Sequence, residues 1–368
     1  MKTYVFATYS DYKSGKLTGA HRRYLELINY VSEKNQVILV SGEIPQLTHP
    51  ERIKQYSIPN GKIGGIIPFH ISGMIRLKAV LTRIQKCENY DEVIIFGAPN
   101  TICAYQSGMK NINVFFREDL IGYREAIGES KLKLRYLRKQ ENRAVTYAKK
   151  IFVQCKNDYK HLLERNSNVK DIAQKTYIQI NNSNASWMET QKNIVRGNDS
   201  SGRINILFIG HFSNSRKGHS LLIPAINRLT IEGYKIELWI AGGGIEQNKY
   251  KKQYEENPHL HFLGFINDIN YYLGICDFLI VPSLIDSCPN TVLEGLEAGI
   301  AVYGARTGGI PDLLLEERYM FDPTEDAIYA FVRNVADNHS YKQDCINQKY
   351  LKERLCFDWC KTILEKIG

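Results

Sequence analysis

Short apolar runs separated by helical patterns recur along the whole chain. In the first half, the runs that predict strands lie at 3–10, 36–42, 91–99, 112–119 and 149–155. In the second half, they lie at 204–210, 235–244, 260–265, 277–283 and 300–305. Helices are predicted between several of these runs, among them 217–232 and 289–298. Strands that alternate with helices predict parallel sheets covered on both faces, so we expect an α/β protein in two halves.

The stretch between the two halves has a different composition. Residues 181–202 are polar, rich in Asn and Ser, and without periodicity, which predicts a linker. The length of 368 residues leaves room for a domain of ordinary size on each side of this linker.

Composition narrows the class of protein. Hydrophobic residues make up 43% of the chain and charged residues 24%, which allows a buried core and excludes a disordered protein. The first residues lack the basic start and apolar block of a signal peptide, and no apolar run approaches the ~20 residues that span a bilayer. The eight Cys form no CxxC pair. These features predict a cytoplasmic protein with unpaired, mostly buried thiols.

Charge is distributed unequally between the halves. Residues 1–200 hold 31 Lys and Arg against 18 Asp and Glu, a net charge of +13, whereas residues 201–368 hold 17 against 21, a net charge of −4. This asymmetry indicates that the first half meets an anionic partner: a membrane surface, a nucleic acid or a phosphorylated substrate.

Three predicted strands of the second half run into loops of glycine and turn-forming residues, at 209–218, 240–244 and 281–290. In doubly wound sheets, ligands bind outside the carboxyl ends of the strands, where backbone amides and helix N-termini face phosphates. One such loop would be an ordinary turn. Three of them in neighbouring strand–helix units predict a site for a nucleotide or a nucleotide derivative.

Residues 203–314 contain, in order, GHFSNSRKG, AGGG, PSLID followed after seven residues by Glu294, and GGIPD. This order resembles the donor-binding domain of GT-B-fold retaining glycosyltransferases of family four, the glycosyltransferases group 1. The resemblance implies two Rossmann-like, doubly wound domains that face each other across a cleft. FDWCKTILEKI, at 357–367, resembles the helix that crosses back over both domains in these enzymes.

The resemblance sets the predicted organisation. It places an acceptor-binding domain at 1–180, the linker at 181–202, a donor-binding domain at 203–345, and the C-terminal helix at 346–368, where it packs back on the first domain. The implied donor is a nucleotide diphosphate sugar, most simply a UDP-sugar.

The two carboxylates of the PSLID segment and its helix have distinct predicted roles. Glu294, early in the helix, is suited to accept hydrogen bonds from the ribose hydroxyls, because a carboxylate offers two acceptor oxygens to a vicinal diol. Asp286, on the preceding loop, would face the hexose hydroxyls. Arg216 and Lys217 would neutralise the diphosphate and the charge that develops on the leaving group.

Further donor contacts are predicted along the same loops. The amides of Cys288, Asn290 and Thr291 would face the diphosphate at the helix N-terminus, with Pro289 in the first helical turn. Strand-end residues complete the predicted site: Gly210, His211, Gly243 and Phe265. Two residues of the predicted site depart from the family pattern, since His211 stands where Arg is usual and Asp286 where Glu is commoner. Glu297 is expected to lie on the solvated side of the helix.

The first half is predicted to bind the acceptor. Gly19 lies where a glycine-containing loop enters a helix, and Asn100, Arg117 and Glu118 lie at predicted strand ends. None of these residues can be assigned as a catalytic base. The resemblance implies a front-face reaction with retention, in which the donor phosphate accepts the acceptor's proton. No D-x-D motif is present, and the resemblance implies an enzyme that needs no metal, so we expect no metal and no cofactor.

Two basic segments of the first half leave alternatives open. KLKLRYLRKQENR (131–143) interleaves leucines with cations, and residues 62–86 join an apolar loop to a basic amphipathic helix. Two interpretations are open for both segments. They are either ordinary helices that cover the sheet, or helices that dock on the anionic inner face of the cell membrane. A lipid-linked glycan acceptor would make such docking useful.

The predicted function is therefore a glycosyltransferase with a glycan or lipid-linked glycan acceptor, in bacterial surface polysaccharide biosynthesis. A nucleotide-sugar epimerase of the same fold is the alternative, although it would not need the basic first half. A nucleic-acid partner is not expected, because the first half shows no zinc spacing, RNA-binding aromatic motif or basic zipper.

Overall fold

The computed structural model describes residues 1–8, 19–42, 47–58, 69–183, 202–212, 215–266 and 268–368. The chain divides into two compact units. The first unit is Met1–Ile180 together with Asp358–Gly368, and the second is Asn181–Phe357. Most of the predicted linker, residues 184–201, lies outside the described residues.

A parallel sheet forms the centre of the first unit. Its strands, in chain order, are β1 (Thr3–Ala7), β2 (Gln36–Ser41), β3 (Ile53–Ser57), β4 (Glu92–Phe96), β5 (Ile112–Phe115), β6 (Lys150–Val153) and β7 (Thr176–Ile178). They stand in the order β3-β2-β1-β4-β5-β6-β7, and all neighbouring pairs are parallel. The central strands are buried on both faces, as their apolar runs predict.

Helices cover this sheet. In chain order they are α1 (Gly19–Ser32), α2 (Phe69–Cys87), α3 (Ala98–Gln106), α4 (Leu120–Ala126), α5 (Lys131–Tyr147), α6 (Lys156–Arg165) and α7 (Val169–Lys175). On one face, Leu77, Leu81 and Ile84 of α2 are fully buried in a core that they share with Val5 and Val93 of the sheet.

The second unit repeats the design with a parallel sheet of its own. Its strands are β8 (Ile204–Ile209), β9 (Ile236–Ala241), β10 (Leu260–Gly264), β11 (Phe278–Val281), β12 (Ala301–Ala305) and β13 (Met320–Phe321). They stand in the order β10-β9-β8-β11-β12-β13, again with parallel neighbours. The direction of winding reverses between β8 and β11, which is where a doubly wound sheet opens a crevice at its carboxyl edge.

Shorter helices cover the second sheet. They are α8 (His219–Ile231), α9 (Gln247–Gln253), α10 (Asn270–Ile275), α11 (Asn290–Ala298), α12 (Ile310–Leu314), α13 (Glu325–Asn338), α14 (Tyr341–Asn347) and α15 (Lys349–Leu355). With both sheets parallel and helix-covered, the predicted α/β fold class of two doubly wound, Rossmann-like domains is confirmed.

Three strands, β3, β7 and β13, are absent from the sequence prediction. All three lie at sheet edges. The β3 strand has no buried residue, and Lys54, Gln55 and Ser57 are polar and exposed, so its apolar signal is weak. The Gln348 side chain pairs with the backbone of β12 at Val302, as a residue of a longer edge strand would. Gln348 accepts a hydrogen bond from the Val302 amide and donates one to the Val302 carbonyl, each at 2.8 Å.

The C-terminal segment differs from the single helix predicted at 346–368. It is broken into the end of α14, α15 and a last helix, α16 (Trp359–Ile367). The α15 helix packs on α11 of the second unit, whereas α16 packs on α1 of the first. The break has a local cause, because Asp358 caps α16 by accepting a hydrogen bond from the Lys361 amide at 2.8 Å.

The eight thiols are all free, and five of them are buried, as expected: Cys103, Cys155, Cys276, Cys288 and Cys360. Among the helices in the described part of the chain, none is long and apolar enough to cross a membrane.

Candidate functional site

The loops that the sequence singled out meet at the carboxyl edge of the second sheet. They follow β8, β9, β11 and β12, the strands on the two sides of the switch point. Two close approaches join them. A Cβ on Gly218 would lie 1.8 Å from the Pro282 carbonyl oxygen, and a Cβ on Gly242 would lie 1.8 Å from that of Gly210. Both residues have positive φ, +75° and +136°, so glycine is required at each.

The three residues predicted to be catalytic lie together in this edge. Lys217 Nζ is 2.5 Å from Asp286 Oδ2. Arg216 Nε donates to the Ile285 carbonyl at 3.0 Å, and the Arg216 carbonyl accepts from the Leu284 amide at 2.8 Å. Asp286 is buried, with 7% of its surface exposed. The Asp286 carboxylate is therefore paired with the Lys217 cation. No sequence motif predicts this pair.

The start of α11 is close to the prediction but differs in detail. The helix begins at Asn290, and Pro289 precedes it as the cap residue rather than lying in the first turn. Cys288 is buried, and its Sγ lies 3.4 Å from the Asn181 amide nitrogen. The Asn181 side chain also donates to Asn290 Oδ1 at 3.3 Å. Asn181 belongs to the predicted linker, and nothing in its polar surroundings signals this contact.

The two acids of α11 lie differently from expectation. Glu294 is half-buried, while Thr291 and Asn290 are also partly accessible. Glu297, which we expected on the solvated side, is 3% exposed and lies 3.4 Å from Lys352 Nζ of α15. The expectation for Glu297 is wrong because α15 covers that face of α11, and a helical pattern does not reveal which neighbour covers it.

The remaining predicted donor residues surround the same edge. The Gly210 amide donates to the Ala241 carbonyl at 2.9 Å, which continues the β8–β9 ladder past the strands. His211 is exposed, and Phe265 has 65% of its surface exposed. A Cβ on Gly243 would meet only ordinary contacts, at 3.7 Å from the Phe265 Cβ, so that glycine leaves room rather than relieving a clash.

A buried histidine behind these loops was missed from the sequence. His219, the first residue of α8, is fully buried, and its Nε2 lies 3.2 Å from Glu246 Oε2. Its ring centroid is 4.2 Å from that of Phe212 and 5.0 Å from that of Tyr250. Burial lowers the pKa of His219, so the ring is neutral at neutral pH. The residue follows the RKG segment directly, which is the signal that could have found it.

The predicted acceptor residues lie at the carboxyl edge of the first sheet, next to β1, β4 and β5, which are neighbours. Gly19 is the first residue of α1. Asn100 is buried in α3 and donates to the Phe96 carbonyl at 2.9 Å. Arg117 lies over the Phe96 ring, 5.8 Å from its centroid, and Glu118 is half-buried beside it. Asn100 therefore serves the turn into its helix, whereas Arg117 and Glu118 remain partly accessible.

Next to Glu118 the structure shows an ion cluster absent from the sequence prediction. Asp119 caps α4, and it contacts His161 Nδ1 at 2.6 Å and Arg165 Nη1 at 2.9 Å. Arg165 also binds Glu141 through two contacts of 3.0 Å. Burial raises the pKa of Asp119, but Arg165, the Gly122 amide and His161 together outweigh burial, and the net pKa is lowered. Burial raises the pKa of Glu141 despite the same arginine.

The candidate site does not coincide with the cavity of 710 Å³ in the second unit. That cavity lies between the end of α8 and the loop before β10, at the opposite edge of the second sheet. None of the loops described above contributes a residue to its lining. Across the parts of the chain that the structure describes, no group of three His, Cys, Asp or Glu is arranged to hold a metal ion.

Comparisons with known proteins agree with this geometry. Residues 203–338 match the family model of glycosyl transferases group 1. The O-antigen biosynthesis glycosyltransferase WbnH of Escherichia coli is 26% identical over 152 residues, which are 41% of this chain and 43% of that protein. The aligned segment thus spans less than half of this curated relative.

Solved structures show the fold over the whole chain. HepE of Anabaena, in complex with UDP and glucose, superposes with a TM-score of 0.70 at 15% identity, covering 100% of this chain and 99% of HepE. WaaG, a glycosyltransferase involved in lipopolysaccharide biosynthesis, gives 0.68 at 14% identity, covering 99% and 98%. The match to the family model therefore lies within the second unit, and the chain has the GT-B fold of these glycosyltransferase structures.

Proposed function

We propose that this chain is a glycosyltransferase that moves a sugar from a UDP-sugar to a glycan or lipid-linked glycan acceptor in bacterial surface polysaccharide biosynthesis. The observation that carries the proposal is the meeting of Lys217, Asp286 and the start of α11 at the switch point of the second sheet. UDP in the HepE structure supports the choice of nucleotide, and the O-antigen role in the name of WbnH supports the class of acceptor.

Each residue of the donor site has a role in this proposal. Lys217, with Arg216 beside it, faces the diphosphate, and a fixed cation there stabilises the charge that grows on the leaving group. The amides of Cys288, Asn290 and Thr291 add the partial positive charge of a helix N-terminus. Glu294 binds the ribose diol, and Asp286 both holds Lys217 and accepts hydrogen bonds from the hexose.

We extend the proposal to retention of configuration. Near the carboxyl edge of the first sheet, Asn100, Arg117 and Glu118 supply no obvious general base, and a front-face reaction needs none because the donor phosphate accepts the proton. The α-anomer of the donor should therefore give an α-linked product. Proton NMR of the new anomeric centre measures this directly, and a β-linked product would overturn the extension.

The transfer is proposed to need no metal and no other cofactor, since Arg216 and Lys217 can supply the positive charge that a metal supplies elsewhere. UDP binding should be unchanged by EDTA and by added Mg²⁺. Strict dependence of binding on a divalent ion would contradict this part of the proposal.

A screen of nucleotide sugars by thermal shift tests the function, because a ligand that binds only the folded state raises the unfolding temperature. Mass spectrometry with the best donor then compares reactions with and without a glycan acceptor. A mass increase of the acceptor supports transfer. A rearranged donor without acceptor would instead support the epimerase alternative, and no shift with any nucleoside diphosphate would refute the donor site.

We also propose that the first unit docks on an anionic membrane, on the inner face of the cell membrane. The first ten residues of α5, 131–140, contain no buried residue, so this part of the helix does not cover the sheet. Leu132 is 83% exposed and Tyr136 is 56% exposed. Five cations surround them: Lys131, Lys133, Arg135, Arg138 and Lys139.

Two other places in the first unit also carry exposed apolar side chains, and at α2 they lie on a helix with exposed cations. Ile127, between α4 and α5, is 51% exposed, and at α2 Ile71 and Ile75 are 43% and 49% exposed, with Lys78, Arg83 and Lys86 further along the helix. Exposed apolar side chains among cations are typical of surfaces that insert shallowly into headgroups while charge holds them there. A lipid-linked acceptor would be met at that surface. Nucleic acid is not a proposed partner.

A further inference from the structure

The loops after β8 and β9 are joined beyond the ends of their strands. The Phe212 amide donates to the Gly243 carbonyl, and the Glu246 amide donates to the Phe212 carbonyl, both at 2.9 Å. Gln247 Nε2 donates to the Gly242 carbonyl at 2.8 Å. Because Phe212 is the shared member, the position of its backbone decides where the glycine-rich loop lies.

His219 contacts both Phe212 and Glu246, and so holds the Phe212 backbone in position. Phe212 is fully buried, and its ring lies against the imidazole at 4.2 Å, while the Tyr250 ring meets the imidazole edge-on at 5.0 Å. Through Nε2, the same imidazole reaches Glu246, the residue whose amide closes the loop. One side chain thus holds both members of the hydrogen bond between Glu246 and Phe212.

The imidazole is held in one chemical form. Nδ1 of His219 is buried and has no hydrogen-bond partner among the described residues. The proton of the neutral ring therefore lies on Nε2, which donates to the Glu246 carboxylate. A proton on Nδ1 as well would place an unsatisfied donor and a cation at the N-terminus of α8, where the helix dipole opposes positive charge.

We propose that His219 is a positioning residue for the diphosphate of the donor. In its neutral form, His219 fixes the Gly242–Glu246 loop against the 210–212 loop. Lys217 lies next to the 210–212 loop, since a Cβ on Gly210 would be 3.1 Å from the Lys217 Cβ. This inference rests on the proposed function. An ordinary core histidine would also be buried, but affinity for a diphosphate would then not depend on the charge state of His219.

Calorimetric titration with UDP tests the inference at neutral pH. His219→Phe keeps the ring packing but loses the hydrogen bond to a charged partner, so its UDP dissociation constant should rise about tenfold. His219→Gln keeps a donor that reaches Glu246 and should stay within about threefold of the wild type. Equal UDP affinity of His219→Phe and the wild type would overturn the inference.

A second pair of variants, at Glu246, tests the inference in case His219→Phe does not fold. Glu246 is partly exposed, so Glu246→Ala removes the acceptor with little effect on the core, and UDP affinity should again fall about tenfold, whereas Glu246→Gln keeps an acceptor oxygen and should restore it. Glu255→Ala, on the exposed loop after α9, is the matched control. Unchanged affinity in Glu246→Ala would count against the inference.

The pH profile separates positioning from packing. As pH falls, wild-type affinity should decline more steeply than that of His219→Gln, because only the wild type gains a cation beside Glu246 and Tyr250; the titration of UDP is common to both. Parallel profiles would leave His219 a packing residue. If the wild type binds no nucleoside diphosphate, it is the proposed function that fails, before any variant is compared.

Discussion

The two units share a parallel, helix-covered sheet but place their chemistry differently. In the second unit, side chains far apart in sequence meet at one edge, as Lys217 and Asp286 do at 2.5 Å. In the first unit, the most prominent chemical feature is spread over a surface, the exposed cations and apolar side chains of α5. A fixed phosphate site needs defined geometry, whereas attraction to a charged surface needs mainly net charge. Substitutions should therefore act individually in the second unit and additively in the first.

The largest effect is expected at Lys217. Lys217→Ala removes the cation beside the leaving group and leaves the buried Asp286 carboxylate without its partner, so kcat should fall by about 100-fold or more. Steady-state rates with the best UDP-sugar measure this. Lys251→Ala, an exposed lysine of α9, is the matched control and should be neutral. A Lys217 variant as active as the control would remove the diphosphate role from this pair.

The two acids of α11 should respond in opposite ways. Glu294→Ala should weaken UDP binding by about tenfold to 100-fold, since hydrogen bonds to a charged group are lost, with little change in the unfolding temperature. Glu297→Ala removes a buried carboxylate paired with Lys352 and should cost about 1–3 kcal/mol of unfolding free energy with near-normal UDP affinity. Calorimetry and denaturant unfolding of both variants decide. The same loss of UDP affinity in both would mean that the ribose contact is misplaced.

In the first unit the effect should be cumulative and sensitive to salt. Charge attraction to lipid is screened over ~10 Å at 0.1 M salt, so binding to phosphatidylglycerol vesicles should be reversible. It should weaken, with UDP affinity intact, when four cations of α5 become Gln: Lys131, Lys133, Arg135 and Arg138. Lys133 and Arg138 also pair with Glu129 and Glu125, so single changes should have small effects.

Co-sedimentation at low and high salt is the measurement. The matched control removes the same charge from exposed positions of the second unit: Lys251, Lys252, Lys342 and Lys349. If the wild type stays in the supernatant at low salt, the positive charge serves another partner, most simply a phosphorylated acceptor.

The smallest effect is a slope in stability against pH. The pKa of His219 is lowered in the folded state, so below about pH 6.5 the unfolded chain binds the proton first and stability falls as pH falls. Between that pH and the folded pKa, the wild type should lose up to about 1.4 kcal/mol per pH unit more than His219→Gln. Identical slopes in denaturant titrations at several pH values would show that His219 has an ordinary pKa.

Much of the fold was predictable because its signals are local. The apolar runs at 204–210 and 277–283 correctly predicted β8 and β11, because central strands of a parallel sheet are apolar on both faces. The edge strands β3 and β13 were missed for the same reason, as they are short or half-exposed. The loops of the proposed donor site were predicted from glycine and turn residues, whereas in the first unit the sequence offered only strand ends and charge. The ion cluster around Asp119 had no motif to reveal it.

By itself, the sequence determined the two α/β units, the order of the glycine-containing loops in the second unit and the unequal charge, because each depends on residue type and spacing along the chain. Only the tertiary structure decided which side chains lie together. Glu297 is buried because α15 crosses it, and Asn181 reaches α11 from the predicted linker. Asp286 meets a lysine, and His219 lies under Phe212 and Glu246. Whether a side chain is buried, and which residue it contacts, depends on neighbours distant in sequence. The pattern of residues along the chain does not show which of those neighbours will pack against it.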